Sequence, residues 1–172
     1  MESSGMNAVD LLVEVIKEHV PEDIWQGSPL LGYRNLGNTN RGAIGEEFVR
    51  RYLQSVGVDV GSRTRRTAIT DMQIGGHRFE IKTASLGASG TFQFNHVRLD
   101  RNYEYLLCLG ICPNKIVFKI WRKGAVAEGQ AGRLVRMAEG QAVTWKLTKQ
   151  LSSMESIEAL PDAVKNLAKI SN

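Results

Sequence analysis

Apolar residues recur along this chain at two different periods. In residues 7–19 the run AVDLLVEVIKEH has them at helical spacing, which predicts an amphipathic helix closed by Pro21. A second helical pattern, RGAIGEEFVRRYLQSVG, begins near Asn40 as N-cap and stops at Gly57, a C′ glycine. Its expected buried face is Ile44, Phe48, Val49, Tyr52, Leu53 and Val56. The period then drops to two. Met72, Ile74, Phe79 and Ile81 alternate on the arms of a hairpin whose turn is Gly75-Gly76. Two apolar runs, YEYLLCLGIC and KIVFKIWR, flank the turn Pro113-Asn114 and read as central strands. Further on, VTWKLTK suggests a short strand and residues 161–170 a terminal helix, while GAVAEGQAGRLVRMAEGQ is interrupted by glycine. This order predicts an α/β fold with a mixed four- to five-stranded sheet flanked by helices.

The glycine turn fixes the hairpin register. Ile74 then faces His77, Gln73 faces Arg78, Met72 faces Phe79 and Asp71 faces Glu80. Met72, Phe79 and Ile81 share a core face, and the opposite face carries Asp71 and Glu80, with Lys82 one pleat on, about 7 Å from Glu80. Two carboxylates directly opposite repel, and a divalent cation between them turns that repulsion into a binding site. Mg²⁺ suits it, because it takes one or two carboxylates, keeps waters and accepts a phosphate oxygen. Lys82 could stabilise charge on that phosphate or help deprotonate water. The bland alternative is a solvated strand face with a surface salt bridge.

Asp71, eight residues, then Glu80-Ile81-Lys82 resembles the PD-(D/E)XK motif of restriction-endonuclease-like enzymes, with Thr70 where the motif's name has proline. The resemblance implies phosphodiester hydrolysis, with Asp71, Glu80 and the Ile81 carbonyl on Mg²⁺ and Lys82 near the attacking water. The helix pattern G-x-x-GEEFVRRYL resembles a helix of the same superfamily that often adds an acid to the site, which implies Glu46 as a fourth catalytic residue. Glu46 borders the expected buried face, whereas Glu47 sits with Arg50, Arg51 and Gln54 on the exposed side. A half-buried Glu46 paired with a structural arginine is the competing reading.

Beyond the hairpin, residues 86–90 read as a glycine- and serine-rich loop leading to TFQFNHVR, where Gln93, Asn95, His96 and Arg98 can meet base edges or phosphates. The simpler reading buries Phe92 and Phe94 and leaves the polar residues to water. A glutamine joins the site in some relatives, and Gln93 is the matching position. In order, GNTNRGAIGEEF, FEIKTAS, FQFNHVR and YEYLLCLGI resemble small type II restriction endonucleases across residues 28–123. That implies a homodimer cutting a short palindromic site in double-stranded DNA, with a companion DNA methyltransferase. Holliday junction resolvases carry a similar helix, so a structure-specific nuclease, or a non-cleaving DNA-binding module, is the alternative.

Composition changes this picture little. A chain of 172 residues, 42% hydrophobic and 23% charged, fits one domain over residues 1–172, with helices 7–19 and 161–170 added to the core. The net charge of +4 permits an acidic partner. Arg63, Arg65 and Arg66 cluster before the hairpin, others fall at Arg34, Arg41, Arg50, Arg51, Arg98 and Arg101, and arginine's planar fork favours phosphate. Cys108 and Cys112, about 13 Å apart if on one strand, make neither a disulfide nor a zinc site. With no targeting or membrane-length apolar segment, a soluble cytoplasmic protein without membrane contact is expected.

Overall fold

The computed structural model describes residues 7–20, 22–61, 72–137 and 140–170. Asp71, Arg63, Arg65 and Arg66 lie outside these residues.

Three helices come first: α1 (Ala8–His19), α2 (Leu31–Arg34) and α3 (Asn38–Ser55). The Asn7 side chain caps α1 by accepting from the Asp10 N–H at 2.9 Å. No residue of α1 is buried, and Val9, Leu12, Val13 and Ile16 are all exposed. Five strands follow: β1 (Met72–Ile74), β2 (His77–Ser85), β3 (Thr91–Val97), β4 (Tyr105–Ile111) and β5 (Ile116–Arg122). After them come α4 (Lys123–Ala127), β6 (Leu134–Met137), β7 (Thr144–Gln150), β8 (Glu155–Ser156) and α5 (Leu160–Lys165).

The fold is mixed α/β with two sheets. The larger has strand order β1-β2-β4-β5-β8, its β2 and β4 parallel and its other pairs antiparallel. The smaller has order β3-β7-β6 and is antiparallel throughout. The hairpin has the expected register, with Met72 against Phe79, Gln73 against Arg78 and Ile74 against His77. Gly75 and Gly76 make it possible, because both have positive φ, 56° and 81°, as a two-residue turn with the sheet's twist demands.

Alternation along β2 and β4 divides the interior in two. Phe79, Ile81, Tyr105, Leu107 and Leu109 point to the helical side and form one core with Val49 and Leu53 of α3 and Leu160 and Val164 of α5. Ala84, Leu106 and Cys108 point the other way and pack on Phe92, Phe94, Val97 and Leu147 of the smaller sheet. Every residue of β4 is buried, as a strand covered on both faces requires.

Three expectations need correction. The helix expected from Asn40 begins at Asn38, with Gly37 in extended N-cap geometry and its carbonyl accepting from Arg41 N–H at 3.0 Å. Its buried stripe is Gly45, Val49 and Leu53, while Ile44 and Val56 are exposed. The helix meets β2 where it has no side chain, which turns the stripe toward Gly45. The terminal helix ends at Lys165, and a separate 3₁₀ turn covers Leu167–Lys169, because Asn166 leaves helical geometry with ψ 42°. The smaller sheet was not anticipated as a unit, since only a short strand was expected over VTWKLTK.

No helix among the described residues is long and apolar enough to cross a membrane. Cys108 and Cys112 are buried free thiols, and burial pushes both thiols up.

Candidate active site

Among the described residues, the sheet has an edge beside Glu80 and Lys82. Among the described residues, β1 pairs with β2 through residues 77–79, whereas β4 pairs with β2 through residues 79–85. Among the described residues, no strand joins the outer side of residues 80–85. Along that edge α3 and β3 stand on either side, and a cavity of about 460 Å³ opens between them. Asn38, Arg41 and Glu46 line it from α3, residues 81–85 from β2, and Thr91, Gln93, Asn95 and His96 from β3.

Gly45 sets the width of this cleft. A methyl at that position would lie 2.0 Å from the Thr83 Oγ1 and 2.8 Å from its Cβ, so the helix rests directly on the strand. That contact brings Glu46, the next residue, into the same cavity as Lys82. Glu47 points away and holds Arg51 at 2.8 Å and Arg50 at 3.8 Å.

Glu80 lies behind the cleft wall, 1% exposed. Two cations share its Oε1: Arg101 Nη1 at 3.1 Å and Lys82 Nζ at 3.7 Å. A buried carboxylate needs such company, because desolvating an unpaired charge costs several kcal/mol, on the order of that seen for buried ions generally. The Glu80 charge is felt around it. It raises the Tyr103 hydroxyl and the Cys108 thiol, after the larger effect of burial, and adds to the rise of Arg98, whose main cause is the hydrogen bond to Asp100.

The loop bearing Arg101 is pinned. Arg98 makes two hydrogen bonds to Asp100, at 2.7 and 2.6 Å, and these hold the Asp100 carboxyl down at about 2. The Tyr103 hydroxyl donates to the Arg98 carbonyl, and Lys123 Nζ donates to the Arg101 carbonyl while sitting 5.2 Å from the Tyr103 ring centre.

The β3 wall follows from strict alternation followed by a fault. Phe92, Phe94 and Val97 are fully buried, and Gln93, Asn95 and His96 are exposed on the cleft side. The pairing with β7 shifts between Phe94 and Val97, and His96 there has φ 58°. This bulge puts two polar residues in succession on one side, where plain alternation would bury one of them. The His96 N–H is taken up by Met137 Sδ at 3.3 Å.

Of the residues singled out by sequence, the cleft gathers Glu46, Ile81, Lys82, Gln93, Asn95 and His96, with Glu80 touching Lys82 from behind. Arg98 is turned to Asp100. Asp71 and the Arg63, Arg65 and Arg66 cluster fall outside the described residues. The sequence placed Arg101 only among the arginines that favour phosphate, not beside Glu80, and did not single out Asn38 or Thr83. The signal for Arg101 was its place four residues before β4, the strand that lies parallel to β2.

The donors at the site are oxygens: the Glu80 carboxylate, the Ile81 backbone beside it and Glu46 across the cleft. Such a set fits a hard dication such as Mg²⁺ better than a softer metal. Among the described residues, no three His, Cys, Asp or Glu side chains gather at metal-ligand spacing.

No family model matches this sequence, and no curated protein matches it. Among solved structures, the chain is similar to a bacterial homing endonuclease, I-Ssp6803I, at 10% identity, with a TM-score of 0.47 over 79% of this chain and 100% of that one. At that identity, side-chain roles do not carry from one protein to the other.

Proposed function

We propose that this chain is a Mg²⁺-dependent deoxyribonuclease of the PD-(D/E)XK superfamily, acting as a type II restriction endonuclease on a short palindromic site in double-stranded DNA. The observation that carries this reading is the meeting of Glu46 and Lys82 in one polar cleft at the β2 edge, with buried Glu80 in contact with Lys82. A hairpin serving only stability has no use for an acid buried on its outer strand edge.

In this reading Asp71, Glu80 and the Ile81 carbonyl hold Mg²⁺, which when bound supplies Lewis-acid stabilisation of a phosphate oxygen. Lys82 donates hydrogen bonds to the scissile phosphate and to the water that attacks it, and so opposes the charge that develops there. Glu46 orients that water from the opposite wall and accepts its proton. Gln93, Asn95 and His96 project from a rigid strand toward the DNA, where amide side chains suit adenine edges and all three can hold phosphates. Arg63, Arg65 and Arg66 add electrostatic attraction for the backbone. A palindromic site calls for a homodimer, with one cleft per strand, and a restriction-modification system supplies a companion methyltransferase that protects the host site.

The test is cleavage of a sequenced, unmethylated plasmid with Mg²⁺, beside EDTA and Lys82→Ala controls, with product ends sequenced. Discrete ends at one short palindrome support the reading. Scattered nicks, or cutting of a four-way junction in preference to the plasmid, replace it with a structure-specific nuclease. Binding without cutting in Mg²⁺ replaces it with a DNA-binding module.

A further inference from the structure

Glu80 is paired with two cations, and they differ in how they are held. Lys82 is on the same strand, and its side chain is 18% exposed. Arg101 comes from the loop before β4, and its side chain is 35% exposed. The Arg101 backbone is fastened through its carbonyl and Lys123 Nζ, and among the described residues its guanidinium is hydrogen-bonded to Glu80 alone. The guanidinium therefore has a path to solvent that does not require the loop to move.

Among the described residues, the charged groups in contact with Glu80 Oε1 are cations. Lys82 and Arg101 on Oε1 already bring two positive charges to one carboxylate. Among the described residues, Arg98, Tyr103 and Cys108 also feel the Glu80 charge. Of these, Arg98 is a further cation and the other two are neutral. A dication brought to Glu80 meets repulsion from Arg101 at close range in surroundings of low polarity.

Resting on the nuclease reading, we propose that Arg101 is an exchangeable counterion of Glu80, which competes with the divalent cation for the carboxylate and so weakens the site's affinity for metal in the absence of DNA. The pairing spares Glu80 the cost of a buried charge with too little compensation, and it holds the carboxylate in one orientation. A DNA phosphate offers the displaced guanidinium a second anion, so metal and DNA assist each other's binding.

The experiment is calorimetric titration of the DNA-free protein with Mg²⁺, for wild type, Arg101→Met, Arg101→Lys and Glu80→Gln. Arg101→Met is expected to bind Mg²⁺ roughly tenfold more tightly than wild type, the low end of what one adjacent charge does to a carboxylate. Arg101→Lys, which keeps the charge, should stay within about threefold of wild type, and Glu80→Gln should lose most binding. Unchanged or weaker binding by Arg101→Met, with Glu80→Gln still deficient, overturns the counterion proposal and leaves the metal site standing. Wild-type binding by Glu80→Gln, or none by wild type and Arg101→Met alike, overturns the metal site and the counterion with it. Circular dichroism of each variant separates these results from loss of fold, and should Arg101→Met not fold, tenfold tighter binding by Arg101→Gln carries the same test.

Discussion

Replacing Gly45 by alanine would test the claim that the cleft depends on the bare contact between α3 and β2. The added methyl would stand 2.0 Å from Thr83 Oγ1, 2.8 Å from its Cβ and 2.9 Å from its Cγ2. Because the Cβ itself is too close, no rotation of Thr83 clears the methyl. Ordinary contact begins near 3.4 Å, so even with Oγ1 turned aside the Thr83 Cβ at 2.8 Å forces helix and strand about 0.6 Å apart at this point. Overpacking of this kind costs about 1–3 kcal/mol, against a gain of up to about 1 kcal/mol for alanine over glycine in a helix. A net loss near 1 kcal/mol lowers the melting temperature by about 2–4 °C for a chain of this length. The activity should suffer more, by about 100-fold, because Glu46 moves with the helix while Lys82 stays with the strand. Thermal melts and single-turnover cleavage measure the two effects. Thr83→Ala removes two of the three clashing atoms, and its Oγ1 has no hydrogen-bond partner among the described residues. The double variant should therefore regain part of the lost stability. If Gly45→Ala melts within about 1 °C of wild type and cuts as fast, the close packing does not position the site.

Lys82→Ala and Glu46→Ala should each abolish cleavage, while Glu47→Ala, which breaks the pairs with Arg51 and Arg50, should retain it and lose less than about 1 kcal/mol. Loss of activity in Glu47→Ala alone would place the wrong face of α3 in the cleft. The Asp100 carboxyl, held by Arg98, should titrate at about 2 by NMR in place of its ordinary value near 3.8. Its folded value is depressed, so its contribution to stability is complete above about pH 4 and fades as the pH falls toward 2; Asp100→Asn should flatten that part of the acid unfolding curve. Leu12→Ser and Ile16→Ser should each leave the melting temperature unchanged, because both side chains of α1 are exposed.

The hairpin was legible in the sequence because a two-glycine turn leaves one register, and that register decides which side chains share a face. The central strands were legible from their unbroken apolar runs. The face of α3 was not, because hydrophobic periodicity weighs side chains and the decisive residue, Gly45, has none. The smaller sheet escaped notice because Thr91 of β3 pairs with Gln150, at a separation no local pattern encodes. The acid-lysine pair of the site could be named from spacing, but not Arg101, whose approach to Glu80 depends on the parallel register of β4 on β2.

The alternation in β3 has a consequence for how this protein can change over generations. The strand is anchored by Phe92, Phe94 and Val97, while Gln93 and Asn95 contribute nothing to that anchorage. Gln93 and Asn95 can be exchanged without loosening the interior, and neither Lys82 nor Glu80 shares a strand with them. Only His96 is restricted, since its left-handed backbone admits asparagine or glycine most readily. A library randomised at Gln93 and Asn95 should thus yield mostly folded proteins, giving selection a surface for altered preference that is separate from the groups performing hydrolysis.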